Sequence, residues 1–442
     1  TDAEREKIHL IDTRNGTLTR TLQLPSPRFR DFSSLAFIGD DFILSAGIDN
    51  RTHLWDARSG QLVGSLILYE TNNDWALVTP DGRFDGSPGA IAKMSYAIGQ
   101  RIIPLEQLYE GFYTPGLARQ LLGRGTTPAP PVIIDRIQEP PSISIRYQEG
   151  TRNLVVEDDE ATEQISTQAE NATLQLSATA PGDRVTEIRL FHNGKLVSQG
   201  QRNLFVEDDV PANNQKTYQV RLLPGENIFS AVAVNSQRTE SAAARLQVSY
   251  APVQQQTVPT QQGITLHLFT IGINQSKNPR YNLNYAAADA ESFRGALVKG
   301  MAPITSQIKT YQLSDAQADR AGIIAILEQV QQAARPQDIF VFYYAGHGVM
   351  NEGANKDFYL VPYDVTQLYG NDEALAQRGI SAQEMKALAA KIAAQKQLYI
   401  LDACQSAGAL EALATRGAAE EKAIAQLARA TGTHWLTASG SE

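Results

Sequence analysis

Two side chains in this 442-residue sequence could carry out covalent chemistry together, the imidazole of His347 and the thiol of Cys404. The run DIFVFYYAG (residues 338–346) is typical of a buried strand and leads directly to His347. The run QLYILDA (residues 397–403) has the same character and leads to Cys404, the only cysteine. Open α/β sheets form their sites beyond the carboxyl ends of the strands. We therefore expect the two side chains to meet at one edge of a sheet.

A thiol and an imidazole at that edge would suit nucleophilic catalysis. The imidazole can ionise the thiol as a general base and later protonate the leaving group. The backbone N–H groups of Gly348 and Cys404 are predicted to stabilise an oxyanion, and Gly346 and Gly348 leave room for a substrate backbone. We expect the strand to end at His347 and to leave its imidazole uncovered. A Gly-His-Gly sequence alone is more often a turn, and a cysteine after a strand is more often an apolar filler. The hypothesis therefore depends on the occurrence of both at strand ends of one sheet.

Composition and charge argue against several other functions. The net charge is −9 without a dense Lys/Arg block, which disfavours nucleic acid or an anionic membrane as the main partner. No apolar run approaches the ~18 residues that a membrane span needs. A single cysteine excludes an internal disulfide, and no zinc-protease or phosphate-loop motif occurs, so we expect no metal and no cofactor. A cytoplasmic location is predicted, although the abrupt start TDAEREKIHL indicates a truncated N-terminus and leaves export open.

Strand and helix patterns alternate from residue 264 onward, which predicts the sheet that positions the pair. Apolar strands are separated by amphipathic helices over residues 285–300, 314–336 and 380–395. The last helix has a capping-box pattern, Ser381 followed by Glu384. Continuous apolar strands between helices predict a mostly parallel sheet covered on both faces, in an α/β domain at 263–442.

The residues before this domain are predicted to form all-β modules. The pattern His-Leu-x-Asp-x-Arg-x-Gly-x-Leu starts at His9 and again at His53, and it resembles WD-repeat propeller blades. So few blades cannot close a ring, so we expect further blades to precede the sequence or a partner to supply them. Later short strands around an Asn193-Gly194 turn predict an immunoglobulin-like β-sandwich. The predicted segments are a propeller fragment at 1–69, a connector at 70–131, the sandwich at 132–252 and a linker at 253–262. Within the connector, helical patterning is predicted around 91–123.

The motifs YYAGHG and LDACQSAG together resemble the catalytic pair of the caspase-like cysteine peptidases, the clan of caspases, paracaspases and prokaryotic metacaspases or orthocaspases. The resemblance extends over residues 264–442 and includes IGIN, NLNYAAADAESF, DFYLVPYD and LTASGSE. It implies a caspase-like α/β sheet with helices on both faces. It also implies that His347 is the base and Cys404 the nucleophile, while His434, which opens a late strand, is the competing base.

The resemblance also implies a specificity. In the metacaspase-like branch an acid lies two residues before the nucleophile, which is Asp402 here, and the second acid of that branch is most similar to Asp289. Two buried carboxylates in a pocket would select Arg or Lys before the scissile bond. The alternatives are that Asp289 is a helix N-terminal carboxylate that interacts with the macrodipole and that Asp402 is an ordinary strand-end acid. Cleavage after Asp is disfavoured by Asp402.

Departures from the family pattern limit what is carried over. Gln405 stands where metacaspases often have a histidine, and no acid cluster indicates calcium activation. The chain stops at TASGSE, where the family sheet continues into a sixth strand, so we expect a C-terminal part to be missing. Caspase-like enzymes are often processed after the nucleophile, and Arg416 is the predicted site of self-cleavage; an uncut surface helix is the alternative.

These observations predict a cysteine endopeptidase that cuts protein or peptide substrates after Arg or Lys through a thioester. The β modules are expected to recruit or regulate it, with a regulatory protein bound to the propeller fragment or the sandwich. The rival hypothesis is an inactive or latent caspase-fold scaffold that acts through protein–protein interaction.

Overall fold

The structure is a computed structural model that describes most of the chain in two compact units. The described residues are 7–23, 32–47, 50–69, 73–124, 134–149, 152–157, 163–197, 214–252, 263–352, 357–403, 422–426 and 428–437. One unit comprises Thr1–Gln138 with Gln237–Thr239, and the other comprises Glu139–Ser236 with Glu240–Glu442.

The first unit is built mainly from antiparallel β structure. Its elements are β1 (Ile8–Ile11), β2 (Leu18–Leu22), β3 (Phe32–Ile38), β4 (Phe42–Gly47), β5 (Arg51–Asp56), β6 (Leu62–Tyr69), β7 (Asp74–Val78), β8 (Phe84–Gly86), α1 (Pro88–Ile91), β9 (Ser95–Ile98), β10 (Arg101–Pro104), α2 (Tyr109–Phe112) and α3 (Leu117–Arg119). Strands β3 to β8 form one six-stranded sheet in chain order, while β1–β2 and β9–β10 are separate hairpins.

Two sequence predictions differ from this unit. The predicted boundary between residues 69 and 70 falls between β6 and β7, which pair with each other in the six-stranded sheet. Helical patterning predicted around 91–123 is wrong for residues 95–104, which form the β9–β10 hairpin. Tyr96 of this hairpin donates its hydroxyl to the Gly82 carbonyl at 3.1 Å, a tertiary contact with no local sequence signal.

The second unit begins with two packed sheets, here called the sandwich module. Its strands are β11 (Ser142–Glu149), β12 (Arg152–Glu157), β13 (Glu163–Thr167), β14 (Asn171–Thr179), β15 (Val185–His192), β16 (Lys195–Leu196), β17 (Gln215–Arg221), β18 (Gly225–Asn235) and β19 (Ala244–Tyr250). The sheet orders are β12-β11-β14-β17 and β13-β19-β18-β15-β16. Ile145 and Leu174 of one sheet share a buried core with Leu190 and Phe229 of the other.

The turn between β15 and β16 confirms a sequence prediction. Asn193 and Gly194 have φ angles of 51° and 86°, which a type I′ hairpin turn requires at both central positions. The predicted all-β class of this region is therefore confirmed, and its immunoglobulin-like and the earlier propeller assignments stay predictions.

The rest of the second unit is an α/β domain. Its elements are β20 (Thr265–Gly272), α4 (Ala286–Met301), β21 (Gln307–Ser314), α5 (Arg320–Ala333), β22 (Ile339–Met350), β23 (Phe358–Val361), α6 (Asp372–Arg378), β24 (Ile380–Ser381), α7 (Ala382–Lys391), β25 (Lys396–Ala403) and β26 (His434–Thr437). Strands β21-β20-β22-β25-β26 are parallel neighbours, and β23 and β24 add antiparallel pairs to the end of β22. Residues 422–426 and 428–431 are helical.

Helices cover both faces of this sheet, as predicted. Ile323 of α5 and Leu388 of α7 belong to the same core cluster as Phe342 of β22. On the other face, Ala286 and Ala290 of α4 cluster with Tyr343 and Ala345 of β22. The near-continuous apolar strands follow from this double cover, because each face of β22 needs an apolar side chain.

Two helix starts show how the sequence signals are used. Helix α5 begins after Asp319, whose carboxylate accepts from the Gly322 N–H at 2.7 Å, and the start predicted at Ser314 is wrong. Ser381 caps α7 by accepting from the Glu384 N–H at 3.1 Å, as the capping box predicts. The Glu384 carboxylate does not complete the box; it pairs with Arg320 of α5 at 2.6 Å.

Candidate active site

His347 lies inside strand β22 and not at its end. The strand continues to Met350 because its last four residues pair with β23 after its first residues have paired with β20 and β25. The expectation that the strand ends at an uncovered histidine is therefore wrong. His347 is 6% exposed, since β23 and a preceding loop surround it.

A backbone carbonyl from that loop holds the imidazole. His347 Nε2 lies 2.7 Å from the Tyr281 carbonyl oxygen, and the two rings meet edge to face at 6.2 Å. A carbonyl can only accept, so Nε2 carries the proton and donates it, which leaves the lone pair of the neutral ring on Nδ1. The contact therefore fixes both the tautomer and the orientation that a general base needs.

The loop that supplies the carbonyl is itself anchored by side chains. Asp315, with φ of 46°, accepts from the backbone N–H groups of Asn274 and Gln275, both at 2.8 Å. Asn278 caps the short helix Pro279–Tyr281 and donates through Nδ2 to the Thr366 carbonyl at 2.9 Å. These bonds hold Tyr281 in place through backbone contacts. The sequence signals near them are the two stretches that resemble family motifs, IGIN at residues 271–274 and NLNYAAADAESF at residues 282–293.

The backbone N–H of Gly348 points away from β23. Asn351 donates its backbone N–H to Asp357, so this antiparallel pair is hydrogen-bonded. Such bonds are made by every second residue of an antiparallel strand, so Val349 and His347 are the next residues that bond to β23. Gly348 falls between them at a position that makes no ladder bond to β23. At the edge of β22 that faces β20, the Ala345 carbonyl accepts from the Ile273 N–H, so the backbone groups of Ala345 and His347 point to the same edge. The Gly348 N–H therefore faces the side of the strand on which β25 lies.

Gly346 is required by the packing around it. A Cβ built on Gly346 would lie 2.6 Å from the Tyr344 hydroxyl, so this glycine makes room for a buried tyrosine. The hydroxyl lies 2.9 Å from the His347 carbonyl and 2.8 Å from the Val361 carbonyl, and its proton bridges β22 and β23. Burial raises the pKa of Tyr344, so the hydroxyl stays protonated.

Asp402 lies on the same face of the sheet as His347. It is the parallel partner of Ala345, two residues before His347, and side chains of paired residues share a face. Its Oδ2 accepts from the Tyr343 hydroxyl at 3.1 Å, and the Tyr343 ring stacks on Phe293 of α4 at 4.4 Å. Tyr343 therefore orients this carboxylate. That role has no signal in the sequence, because Tyr343 fits the pattern of an apolar strand residue.

Asp289 is in the first turn of α4, on the same side of the sheet. The start of this helix packs closely on β20, as the space at Gly272 shows: a Cβ built there would lie 2.5 Å from the Ala286 carbonyl. Asp289 is exposed and Asp402 is half-buried. The expectation of two buried carboxylates is wrong, because an unpaired charge would lose too much hydration in a closed core.

The remaining predicted residues are only partly accounted for. Cys404 and Arg416 lie outside the described residues, and the last described residue of β25, Ala403, pairs with Gly346. His434 pairs with Leu398 near the amino end of β25, about 16 Å along the strand from Ala403. His434 is thus at the opposite end of the strand from His347 and does not compete as the base.

Within the part of the chain that the structure describes, no three His, Cys, Asp or Glu side chains are grouped as a metal site would require. No helix among the same residues combines the length and apolar character of a membrane span.

Comparison with known proteins bears on the α/β domain. Residues 267–439 match the family model described as Caspase domain. This match supports a caspase-like cysteine peptidase. No curated protein matches the chain.

Three solved structures are similar in part. They are protein GSU0716 from Geobacter sulfurreducens (23% identity, TM-score 0.26, 33% of this chain and 52% of that chain), the CbhA fibronectin(III)-like modules of Clostridium thermocellum (10%, 0.17, 22% and 99%) and the sialic acid binding region of a Streptococcus sanguinis SK1 adhesin (13%, 0.17, 54% and 47%). The chain thus spans about half the length of GSU0716. With TM-scores this low, none of the three carries an argument about function.

Proposed function

We propose that the chain is a caspase-like cysteine endopeptidase that cuts after Arg or Lys, with Cys404 as nucleophile and His347 as base. The observation that carries the proposal is the pairing of Gly346 with Ala403 across β22 and β25. The next residue on one strand is His347 and the next residue in sequence on the other is Cys404. The Caspase domain match over residues 267–439 supports the same assignment.

The reaction follows from the hydrogen bond that His347 already makes. Nδ1 accepts the proton of the Cys404 thiol, and the thiolate attacks the substrate carbonyl carbon. The Gly348 and Cys404 N–H groups stabilise the oxyanion, and the imidazolium then protonates the leaving amine as the C–N bond breaks. A water molecule, deprotonated by His347, hydrolyses the thioester and restores the thiol. The Tyr281 carbonyl stabilises the imidazolium by accepting from Nε2 throughout.

Asp402 is the proposed selector of a basic side chain. A guanidinium forms two parallel hydrogen bonds with a carboxylate, and an ammonium forms single ones, so Arg is preferred over Lys. The bond from Tyr343 leaves Asp402 Oδ1 for the substrate and fixes the plane of the carboxylate. Asp289, exposed on α4, is the proposed second acid.

We further propose that self-cleavage occurs near Arg416 and that the β modules recruit substrates or regulatory proteins. The all-β character of these modules supports a binding role, as does their position before the catalytic domain in the chain.

Fluorogenic peptides that differ only at the residue before the scissile bond test the proposal. We expect wild type to cleave the Arg peptide fastest, and Cys404→Ala to have no activity. Asp402→Asn should lower kcat/KM for Arg by about 100-fold, because truncating one partner of a desolvated charge pair costs about 2–5 kcal/mol. Asp289→Asn should also lower kcat/KM for the Arg peptide, whereas Glu291→Gln, which changes an acid on the same helix that pairs with Arg294, should leave it unchanged. Equal turnover by wild type and Cys404→Ala would refute the nucleophile.

A latent or inactive scaffold is the second candidate. The observation that favours it is the cover over His347, which is 6% exposed. Absence of cleavage by wild type with every peptide, together with an intact mass identical in wild type and Cys404→Ala, would support this candidate instead.

A further inference from the structure

The sandwich module contacts the α/β domain through polar groups that the proposed reaction does not use. Both belong to the same compact unit of the chain. On the sandwich side the contacts come from the β15–β16 hairpin and from Glu240. On the other side they come from Lys386 of α7, from residues just before β25 and from the helical residues 428–431 just before β26.

Glu240 is the centre of a charged cluster between the two parts. It is 2% exposed, its Oε1 accepts from Arg189 at 3.0 Å, and its Oε2 accepts from Arg429 Nε at 2.9 Å. Arg189, also 2% exposed, donates to Glu187 at 2.6 Å, and Glu187 in turn accepts from Lys386 of α7 at 2.9 Å. A buried carboxylate is tolerated only when its charge is balanced and its lone pairs are filled. Arg429 therefore helps to balance the charge of a buried carboxylate that belongs to the sandwich module.

The hairpin makes a second set of contacts. Asn193 donates to Gln395 Oε1 at 2.9 Å, and Gln395 Nε2 lies 3.2 Å from His192 Nδ1. Lys195, only 8% exposed, donates to the Ile392 carbonyl. These bonds cover the segment that leads into β25.

The backbone also packs closely where the C-terminal segment meets the hairpin. Gly432 has φ of 64° and a Cβ on it would overlap the Gly194 carbonyl. Only glycine permits both this conformation and this approach. The fit is therefore specific to the turn that joins helical residues 428–431 to β26.

Apart from the contact of Lys386 on α7, these contacts lie at the amino ends of β25 and β26. Gln395 directly precedes β25, while Asp402 is near its carboxyl end, about 23 Å further along the strand. The sandwich module therefore supports the sheet from the end opposite the candidate active site and makes these contacts without covering it.

We propose that the sandwich module is a clamp that retains the C-terminal segment, residues 422–442, on the α/β domain when the chain between 404 and 421 is cut. The arginine that the clamp binds belongs to the downstream piece, and its buried acid belongs to the upstream piece. Cleavage in that segment would then give two chains that stay together. The clamp does not require the proposed peptidase activity, because an added protease can make the cut.

The test uses the full chain with Cys404→Ala and with residues 411–417 replaced by the recognition sequence of a site-specific protease. After the cut, gel filtration and the dissociation rate of a C-terminally labelled fragment are measured. We expect the fragment to co-elute with the large piece, and Arg429→Gln to raise its dissociation rate about tenfold or more. The control Arg221→Gln removes an exposed sandwich ion pair with Glu170 and should change the rate less than about twofold. Immediate release from the parent, or equal rates in Arg429→Gln and the control, would overturn the clamp.

A competition measurement avoids any folding defect in the variants. Unlabelled peptides of residues 418–442, with Arg429 or with Gln at that position, compete with the labelled fragment for the same cut protein. We expect the Gln peptide to need about ten times the concentration of the parent peptide for half displacement. Identical competition curves would refute the role of the Glu240–Arg429 contact, whatever the activity assays show.

Discussion

Lys195 gives the sharpest stability prediction, since it buries an amine at the clamp. Its side chain is 8% exposed and its ammonium group donates to the Ile392 carbonyl, and no acidic side chain among the described residues pairs with it. Burial lowers the pKa of Lys195 from 10.5 to about 8 in the folded chain. The charged amine is therefore disfavoured in the native state, and folding carries a penalty at neutral pH.

The size and direction of the effect follow by linkage. A difference between 10.5 and about 8, at 1.36 kcal/mol for each pKa unit, is about 3 kcal/mol. Between these two values the unfolded chain binds more protons than the folded chain, so the free energy of unfolding rises with pH. The penalty is fully present below pH 8 and is gone above about pH 10.5.

Urea unfolding of the Cys404→Ala chain at pH 7.5 and at pH 10 measures this term. The Lys195→Met variant keeps the length of the side chain and has no ionisable group. Between pH 7.5 and pH 10, we expect the free energy of unfolding of the unit that contains Lys195 to rise by about 2–3 kcal/mol more in the parent than in Lys195→Met. Lys299→Met, on the exposed face of α4, should behave like the parent. Parallel pH dependence in the parent and Lys195→Met would refute the reasoning.

Three further changes test the site and its support. Tyr343→Phe removes the hydroxyl bond to Asp402 and should raise KM for an Arg peptide about fivefold at nearly constant kcat, as steady-state kinetics would show. Gly346→Ala places a methyl group against the Tyr344 hydroxyl and should destabilise the domain by about 1–3 kcal/mol in thermal unfolding; an unchanged Tm would contradict the packing argument. Glu384→Gln leaves a guanidinium without its buried acid and should cost about 3 kcal/mol in urea, whereas a loss under 1 kcal/mol would show that solvent screens the pair.

Local sequence patterns predicted the elements whose signals are local. The parallel sheet with helices on both faces, the Asn193-Gly194 hairpin and the Ser381 cap follow from periodicity, turn chemistry and capping, and the structure contains all three. The pair of strands that leads to His347 and Cys404 was also found, since both strands are continuous apolar runs.

The misses concern contacts between residues that are distant in sequence. Gly-His-Gly favours a turn locally, and β22 continues through it only because β23 supplies pairing. The Tyr281 carbonyl carries no sequence signal, since every residue has one. Glu240 and Arg429 are 189 residues apart, so no window of the sequence could have joined them.

The shared strand β22 has a consequence for how the position of His347 could be controlled. Residues 339–346 are fixed by two parallel neighbours, whereas residues 347–350 pair with β23 on one side. The imidazole of His347 is therefore carried by a part of β22 whose pairing differs from that of residues 339–346. An effector that pulled on the β23–β24 ribbon would displace the imidazole while residues 339–346 kept their pairing with β20 and β25.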